Sequence, residues 1–151
     1  MKQILLAAIF VTTLSATAQT NISNTSTIPV AVTDAFLKKF PNNTAPTWSP
    51  KTYTTPSATT VYIVEFATTM SERKNEAWID KDGKIVMHRK VIELDEVPEE
   101  IRNSVLKNYP EFQTVNAERI EEGGHTNYLL NIQQGARSQK IKVDSKGNVL
   151  P

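Results

Sequence analysis

The chain has 151 residues, no cysteine and a formal net charge of +1. Those three facts exclude a disulfide scaffold, a thiol nucleophile and the basic excess of a nucleic-acid or anionic-membrane binder. Stability has to come from burial, and the chain is long enough for one domain with its own core.

The N-terminus has the pattern of an export signal. Lys2 supplies the positive n-region, Ile4 to Leu14 is a short apolar stretch, and Ala16-Thr17-Ala18 is a small-x-small cleavage site. The stretch is too short to span a bilayer, and no second apolar run follows it. The expected signal peptide is therefore 1–18, cleaved after Ala18. The mature chain then begins at Gln19, carries no formal net charge once Lys2 is gone, and resides in the periplasm or outside the cell. Residues 19–27 are mostly Ser, Thr and Asn and read as a disordered leader.

The first helix is expected from Pro29 to about Phe40. Proline at the first helical position loses nothing, because its missing N–H would be unpaired there. Val32, Phe36 and Phe40 recur at four-residue spacing with Leu37 beside them, and Pro41 ends the helix. Strands are then expected over Thr47–Tyr53, Val61–Thr68, Glu76–Asp80 and Lys84–Glu93. A second helix follows on Ile101, Val105, Leu106 and Tyr109, closed by Pro110, with Glu99 and Glu100 favoured by the dipole in its first turn. The last strands are expected over Thr114–Glu121, Thr126–Gln133, Gln139–Asp144 and Asn148–Leu150. Tyr62, Val64 and Phe66 alternate with Val61, Ile63 and Glu65, which gives each strand one packed face and one free face.

The chain states this plan twice. Ile28-Pro29 through Phe40-Pro41 returns as Val97-Pro98 through Tyr109-Pro110, and the turn Asp80-Lys81-Asp82-Gly83 returns as Asp144-Ser145-Lys146-Gly147. A repeat of that length is one supersecondary unit built twice. Half the chain is marginal alone, so the two units are expected to share one core. The second helix follows the first by 69 positions (Pro29 to Pro98) but the second turn follows the first by only 64 (Asp80 to Asp144). Extra residues in the first unit are expected in the Thr52–Thr60 loop and the Thr69–Asn75 hairpin.

The apolar-Pro helix start, the aromatic-Pro helix end, the Tyr62-x-Val64-x-Phe66 strand and the Asp80-x-x-Gly83 turn, behind a signal peptide, resemble the PepSY-like exported proteins. That group is similar in fold to the beta-lactamase-inhibitor protein. The resemblance implies an α+β fold over 28–151, with repeats 28–96 and 97–151, one antiparallel sheet and both helices on one face. It also implies a binding or inhibitory role rather than catalysis, and it carries no catalytic residues to transfer.

The residues themselves name no active site. There is no zinc-protease helix, no nucleophile elbow and no phosphate loop, so no enzyme activity and no cofactor are expected. His88 and His125 are the only histidines, and a site formed with Glu121 or Glu122 would need separate segments to meet. The acidic run from Glu93 to Glu100 reads as a solvated helix entrance. The free sheet face is the better candidate. Alternation puts Ile63, Glu65, Trp78, Leu129, Lys140 and Lys142 on it, apolar anchors among charges, as in a protein-binding surface. The alternative places Trp78 in the core through a register shift of one. The expected function is a non-catalytic exported module, inhibition being one form of it, that engages an envelope protein or peptide through this face. The alternative function is an envelope sensor of a small molecule or cation. Neither nucleic acid nor membrane insertion after cleavage is expected.

Overall fold

The computed structural model describes residues 28–53, 59–69 and 71–151. The expected signal peptide and leader lie outside the described residues, as does most of the Thr52–Thr60 loop. The elements run α1 (Val30–Lys39), β1 (Asn43–Tyr53), β2 (Thr59–Thr68), β3 (Ser71–Asp80), β4 (Ile85–Ile92), a short 3-10 turn (Leu94–Glu96), α2 (Glu99–Asn108), β5 (Gln113–Glu122), β6 (His125–Gln134), β7 (Arg137–Asp144) and β8 (Val149–Leu150). The strands form one sheet in the order β1 to β8, each antiparallel to the next. This is the expected α+β class.

Helix α1 begins one residue later than expected, and α2 begins at Glu99, one of the two acidic residues expected in its first turn. Pro29 and Pro98 stay extended (ψ 142° and 145°) and act as caps. The Pro29 carbonyl accepts from the N–H groups of Val32 and Thr33, and that of Pro98 from Ile101 and Arg102. The buried stripe is narrower than the sequence pattern suggests. α1 buries Val32 and Phe36, and α2 buries Ile101 and Val105. Leu37 and Leu106 lie beside the stripe and remain 55% and 59% exposed.

Register shows which sheet face the helices cover. Val64 stands opposite Ala77 and Ala77 opposite His88; His88 stands opposite Glu121, and Ala117 opposite Leu130. Opposed residues in antiparallel strands share a face. The α1 side chains pack on Val64, Phe66, Ala77 and Ile79, while those of α2 pack on Ala117, Leu130, Ile132 and Val143. Both helices therefore sit on one side of the sheet. The expected common core is corrected here: the buried side chains form two clusters, one under each helix. Polar pairs separate them, because His88–Glu121 and Lys90–Arg119 occupy the helix-side register where β4 meets β5.

The two Asp-x-x-Gly turns fix the helices against the sheet. Asp80 Oδ1 accepts from the backbone N–H groups of Asp82 and Lys84, and Asp144 Oδ1 from those of Lys146 and Asn148. The hydrogen bonds at Asn148 and Lys146 lower the pKa of Asp144. Gly83 and Gly147 adopt φ values of +85° and +86°. A Cβ on Gly83 would lie 2.6 Å from the Ala31 carbonyl oxygen, and one on Gly147 would lie 3.1 Å from that of Glu100. Each turn thus needs glycine both for its backbone and for close contact with a helix.

Candidate functional site

The open sheet face is built by side-chain alternation along eight strands, opposite both helices. Ile63 stands across from Trp78, and Trp78 across from Met87. Glu65 faces Glu76, and Arg89 faces Ile120. Leu129 stands across from Glu118 and Lys142, and Lys140 across from Asn131. All six expected residues thus have the open-face register, in two groups. Ile63, Glu65 and Trp78 lie together on β2 and β3; Leu129, Lys140 and Lys142 lie together on β6 and β7. Strands β4 and β5 separate the groups.

The surroundings of these residues differ from one another. Trp78 is half-buried, and its indole Nε1–H donates to Glu76 Oε1 at 2.6 Å. The core placement of Trp78 does not occur. Ile63 is only 4% exposed. As an exposed anchor it is corrected: its opposed neighbours are Ser49 and the large Trp78 side chain, so it supports the surface from beneath. Glu65 is half-buried and pairs with Lys74 at 2.8 Å. Leu129 and Lys142 are half-buried, and Lys140 is exposed.

Sequence reasoning passed over the middle of this face. Arg89 donates to Glu118 there, and that hydrogen bond raises the arginine pKa. A hollow of about 160 Å³ lies among Lys74, Glu76, Arg89, Val91 and Glu118. The usable signal was the alternation of β4, in which Met87, Arg89 and Val91 continue the face begun by Trp78.

A second feature occupies the helix-covered side, in the polar gap between the two clusters. His88 has only 12% of its side chain exposed. Its ring lies 4.9 Å from Phe40 and stacks 6.4 Å from Phe66. Nε2 is 3.3 Å from Asn75 Oδ1, and Nδ1 is 3.7 Å from Glu121 Oε2. Burial lowers the His88 pKa; Glu121 opposes that shift, while Arg119 and Lys39 reinforce it. His88, His125, Glu121 and Glu122 all line one cleft of about 650 Å³. The segments therefore do meet. Among the described residues, however, no group of three or more His, Asp or Glu side chains is placed to hold a metal ion.

The acidic run from Glu93 to Glu100 is absorbed by structure. Glu93 and Glu96 both pair with Arg73. The Glu93 backbone N–H donates to Glu96 Oε2, which lowers the pKa of Glu96. Among the described residues, no helix is long and apolar enough to cross a membrane.

No family model matches the chain, and no curated protein matches it either. Solved structures do. A BLIP-like protein from Bacteroides fragilis aligns with a TM-score of 0.64 at 20% identity, over 82% of this chain and 84% of that one. A DUF2874 family protein from Bacteroides ovatus aligns with a TM-score of 0.67 at 18% identity, over 84% and 87%. A protein provisionally assigned to the periplasm of Bacteroides eggerthii aligns with a TM-score of 0.66 at 20% identity, over 82% and 86%. At these identities the likeness concerns architecture, and it establishes that the chain has a BLIP-like α+β fold.

Proposed function

We propose that the chain is a non-catalytic, exported binding module that engages a protein or peptide through the open sheet face. One observation carries this reading. Both helices cover the same side of an eight-stranded sheet, and among the described residues no helix covers the other. That other side combines a half-buried tryptophan, an apolar Leu129 and the cations Lys140 and Lys142, the composition of an interface core with a charged rim. The BLIP-like and periplasmic neighbours fit this reading, as does the PepSY-like pattern of the helices. The signal peptide 1–18, the periplasmic or secreted location and the origin of 28–96 and 97–151 as tandem copies belong to the same proposal. The repeated packing of Gly83 on Ala31 and Gly147 on Glu100 supports the last of these.

The test uses the exported chain as bait in envelope extract, with Trp78→Ala and Lys142→Glu as matched baits. A specific partner should be retained by the wild type and weakened by about 2 kcal/mol or more in the Trp78 variant if that residue is a hot spot. The same variant should lose only roughly 1–2 kcal/mol of stability, because a half-buried side chain leaves less cavity than a buried one. Equal capture by all three baits would remove the open face from the interaction. The alternative, an envelope sensor of a small molecule, is favoured by the 650 Å³ cleft beside His88.

A further inference from the structure

The two edges of the sheet are finished differently. At one edge β1 carries Pro46 and Pro50, which have no N–H to donate. Its register also breaks between Thr44 and Thr47, where Ala45 adopts a φ of 46°. Prolines and bulges are devices that keep an edge strand from pairing with another chain. At the other edge β8 is two residues long and pairs with Lys142 and Val143 of β7. Residues Arg137 to Ile141 of β7 pair with β6 on one side, and no described strand pairs with them on the other. They contain no proline and no register break, and Arg137 to Lys140 are exposed.

The hydrogen-bonding direction along this edge follows from its turns. Gly135 and Ala136 alone join β6 to β7, so Gln134 and Arg137 form the closing hydrogen-bonded pair. Backbone groups then alternate in direction. Those of Arg137, Gln139 and Ile141 point toward β6, and those of Ser138, Lys140, Lys142 and Asp144 point away. The Asp144 N–H agrees with this assignment, since it donates to the Asn148 carbonyl at 2.9 Å on the β8 side. Lys142 has Leu150 opposite it. Ser138 and Lys140 are left, each with an N–H donor and a carbonyl acceptor directed off the sheet. The edge is also cationic: among the described residues neither Arg137 nor Lys140 forms an ion pair.

We propose that this edge takes an extended acidic peptide segment as an added strand, antiparallel to β7 and held by backbone hydrogen bonds at Ser138 and Lys140. Opposed residues share a face. A carboxylate opposite Lys140 therefore lies beside it on the open face, and one opposite Arg137 lies beside that residue on the helix side. Opposite charges across a strand pair are favourable and like charges unfavourable. Charge therefore disfavours two other occupants. A second copy of β7 would bring a second set of the same cations to the edge. The chain's own segments outside the described residues, 1–27, 54–58 and 70, contain no Asp or Glu. The proposal rests on the reading of the chain as a binding module and gives its partner a chemistry, but it uses no residue of β2 or β3.

The test is a titration of the exported chain with the blocked peptide acetyl-Thr-Val-Glu-Val-Thr-Glu-Thr-amide, followed through the backbone amides of Ser138 and Lys140. In the proposed register its first glutamate stands opposite Lys140 and its second opposite Arg137. Two analogues run beside it. One is N-methylated at the first glutamate and cannot donate to the Lys140 carbonyl; the other has lysine for both glutamates. The acidic peptide should shift both amides saturably and slow their hydrogen exchange. Each analogue should bind about tenfold more weakly or worse, which is the loss of about 1.4 kcal/mol. Replacing both exposed cations (Arg137→Gln with Lys140→Gln) should erase the preference for the acidic over the basic peptide and keep the penalty for N-methylation. Equal binding of the methylated and parent peptides would overturn the proposal. So would the absence of saturable shifts with millimolar peptide, and so would an unchanged charge preference in the double variant. Protection of the two amides that rises with protein concentration alone would give the edge to a second copy and also overturn it. Failure here leaves capture through Trp78 untouched, since the probe contacts only β7.

Discussion

The two helices cover their parts of the sheet with different chemistry. Under α1 the contacts are largely between rings. Phe36 meets Phe66 edge-on at 5.0 Å and Trp48 edge-on at 5.2 Å, and Phe40 lies 4.6 Å from Phe66. Under α2 the cluster is built mainly from branched aliphatic residues, Ile101, Val105, Leu130, Ile132, Ile141 and Val143, with Tyr128 beside them. Caps and turns are alike in both regions, whereas the packed side chains are not. The backbone plan is held by prolines, aspartates and glycines, and each helix is seated by its own set of contacts. An aromatic cluster depends heavily on its central ring, while an aliphatic one spreads the same burial over more residues.

The largest effect should come from removing that central ring. Phe36 is 1% exposed and touches three other rings. Phe36→Ala should cost about 3–5 kcal/mol through lost burial and a cavity. The comparable deletion under α2, Val105→Ala, removes fewer atoms and should cost less. Urea melts of both variants check the order, and a Val105→Ala loss equal to that of Phe36→Ala would break the contrast.

A second pair tests what the two regions share. Gly83→Ala and Gly147→Ala each force a non-glycine residue to a positive φ, at roughly 1–2 kcal/mol. At Gly83 the new methyl also meets a backbone oxygen at 2.6 Å, whereas at Gly147 the approach is 3.1 Å and a neighbouring side chain, Ser104, is the next contact. Overpacking adds roughly 1–3 kcal/mol where the neighbour cannot yield. Thermal melts should therefore place Gly83→Ala below Gly147→Ala. The reverse order would mean that α1 shifts more readily than α2.

The parts legible in the sequence are those set by local rules. Proline before and after each helix, glycine in each turn and two-residue alternation in Tyr62 to Phe66 gave the elements and the face each residue occupies. Trp48, on β1, joins the α1 cluster. Local rules did not give exposure. Ile63 has the open-face register but is covered, because exposure depends on the bulk of neighbours across the sheet. Leu37 and Leu106 fit a helical stripe but lie outside it, because a short helix on a sheet buries only its line of contact. Strand β3 begins at Ser71, five residues earlier than expected, because pairing with β2 holds a polar segment that alternation alone could not identify. The cleft beside His88 depends on two strands from different parts of the chain meeting in register, and no local pattern reports that.

The smallest effect is a pH dependence at the border between the two regions. His88 packs beside the touching pair Phe40 and Phe66 and is held near Asn75, and its surroundings include Glu121, Arg119 and Lys39. Burial lowers its pKa below the ordinary value of 6.5. The unfolded chain therefore takes up a proton at His88 at a higher pH than the folded chain does. Above about pH 6.5 both forms are neutral there and His88 contributes no slope. As pH falls through 6.5 the unfolded state gains protons first, so stability declines until the folded-state pKa is passed and then levels off. Glu121 acts against this decline by favouring the protonated ring. Urea melts across this range should show a shallow loss of stability toward acid in the wild type. His88→Gln keeps a hydrogen-bonding group near Asn75 but cannot titrate, so the slope near pH 6 should flatten in that variant. An unchanged slope would assign the acid sensitivity to carboxylates elsewhere. A slope of the opposite sign would mean that Glu121 outweighs burial and that this border is held together by an ion pair.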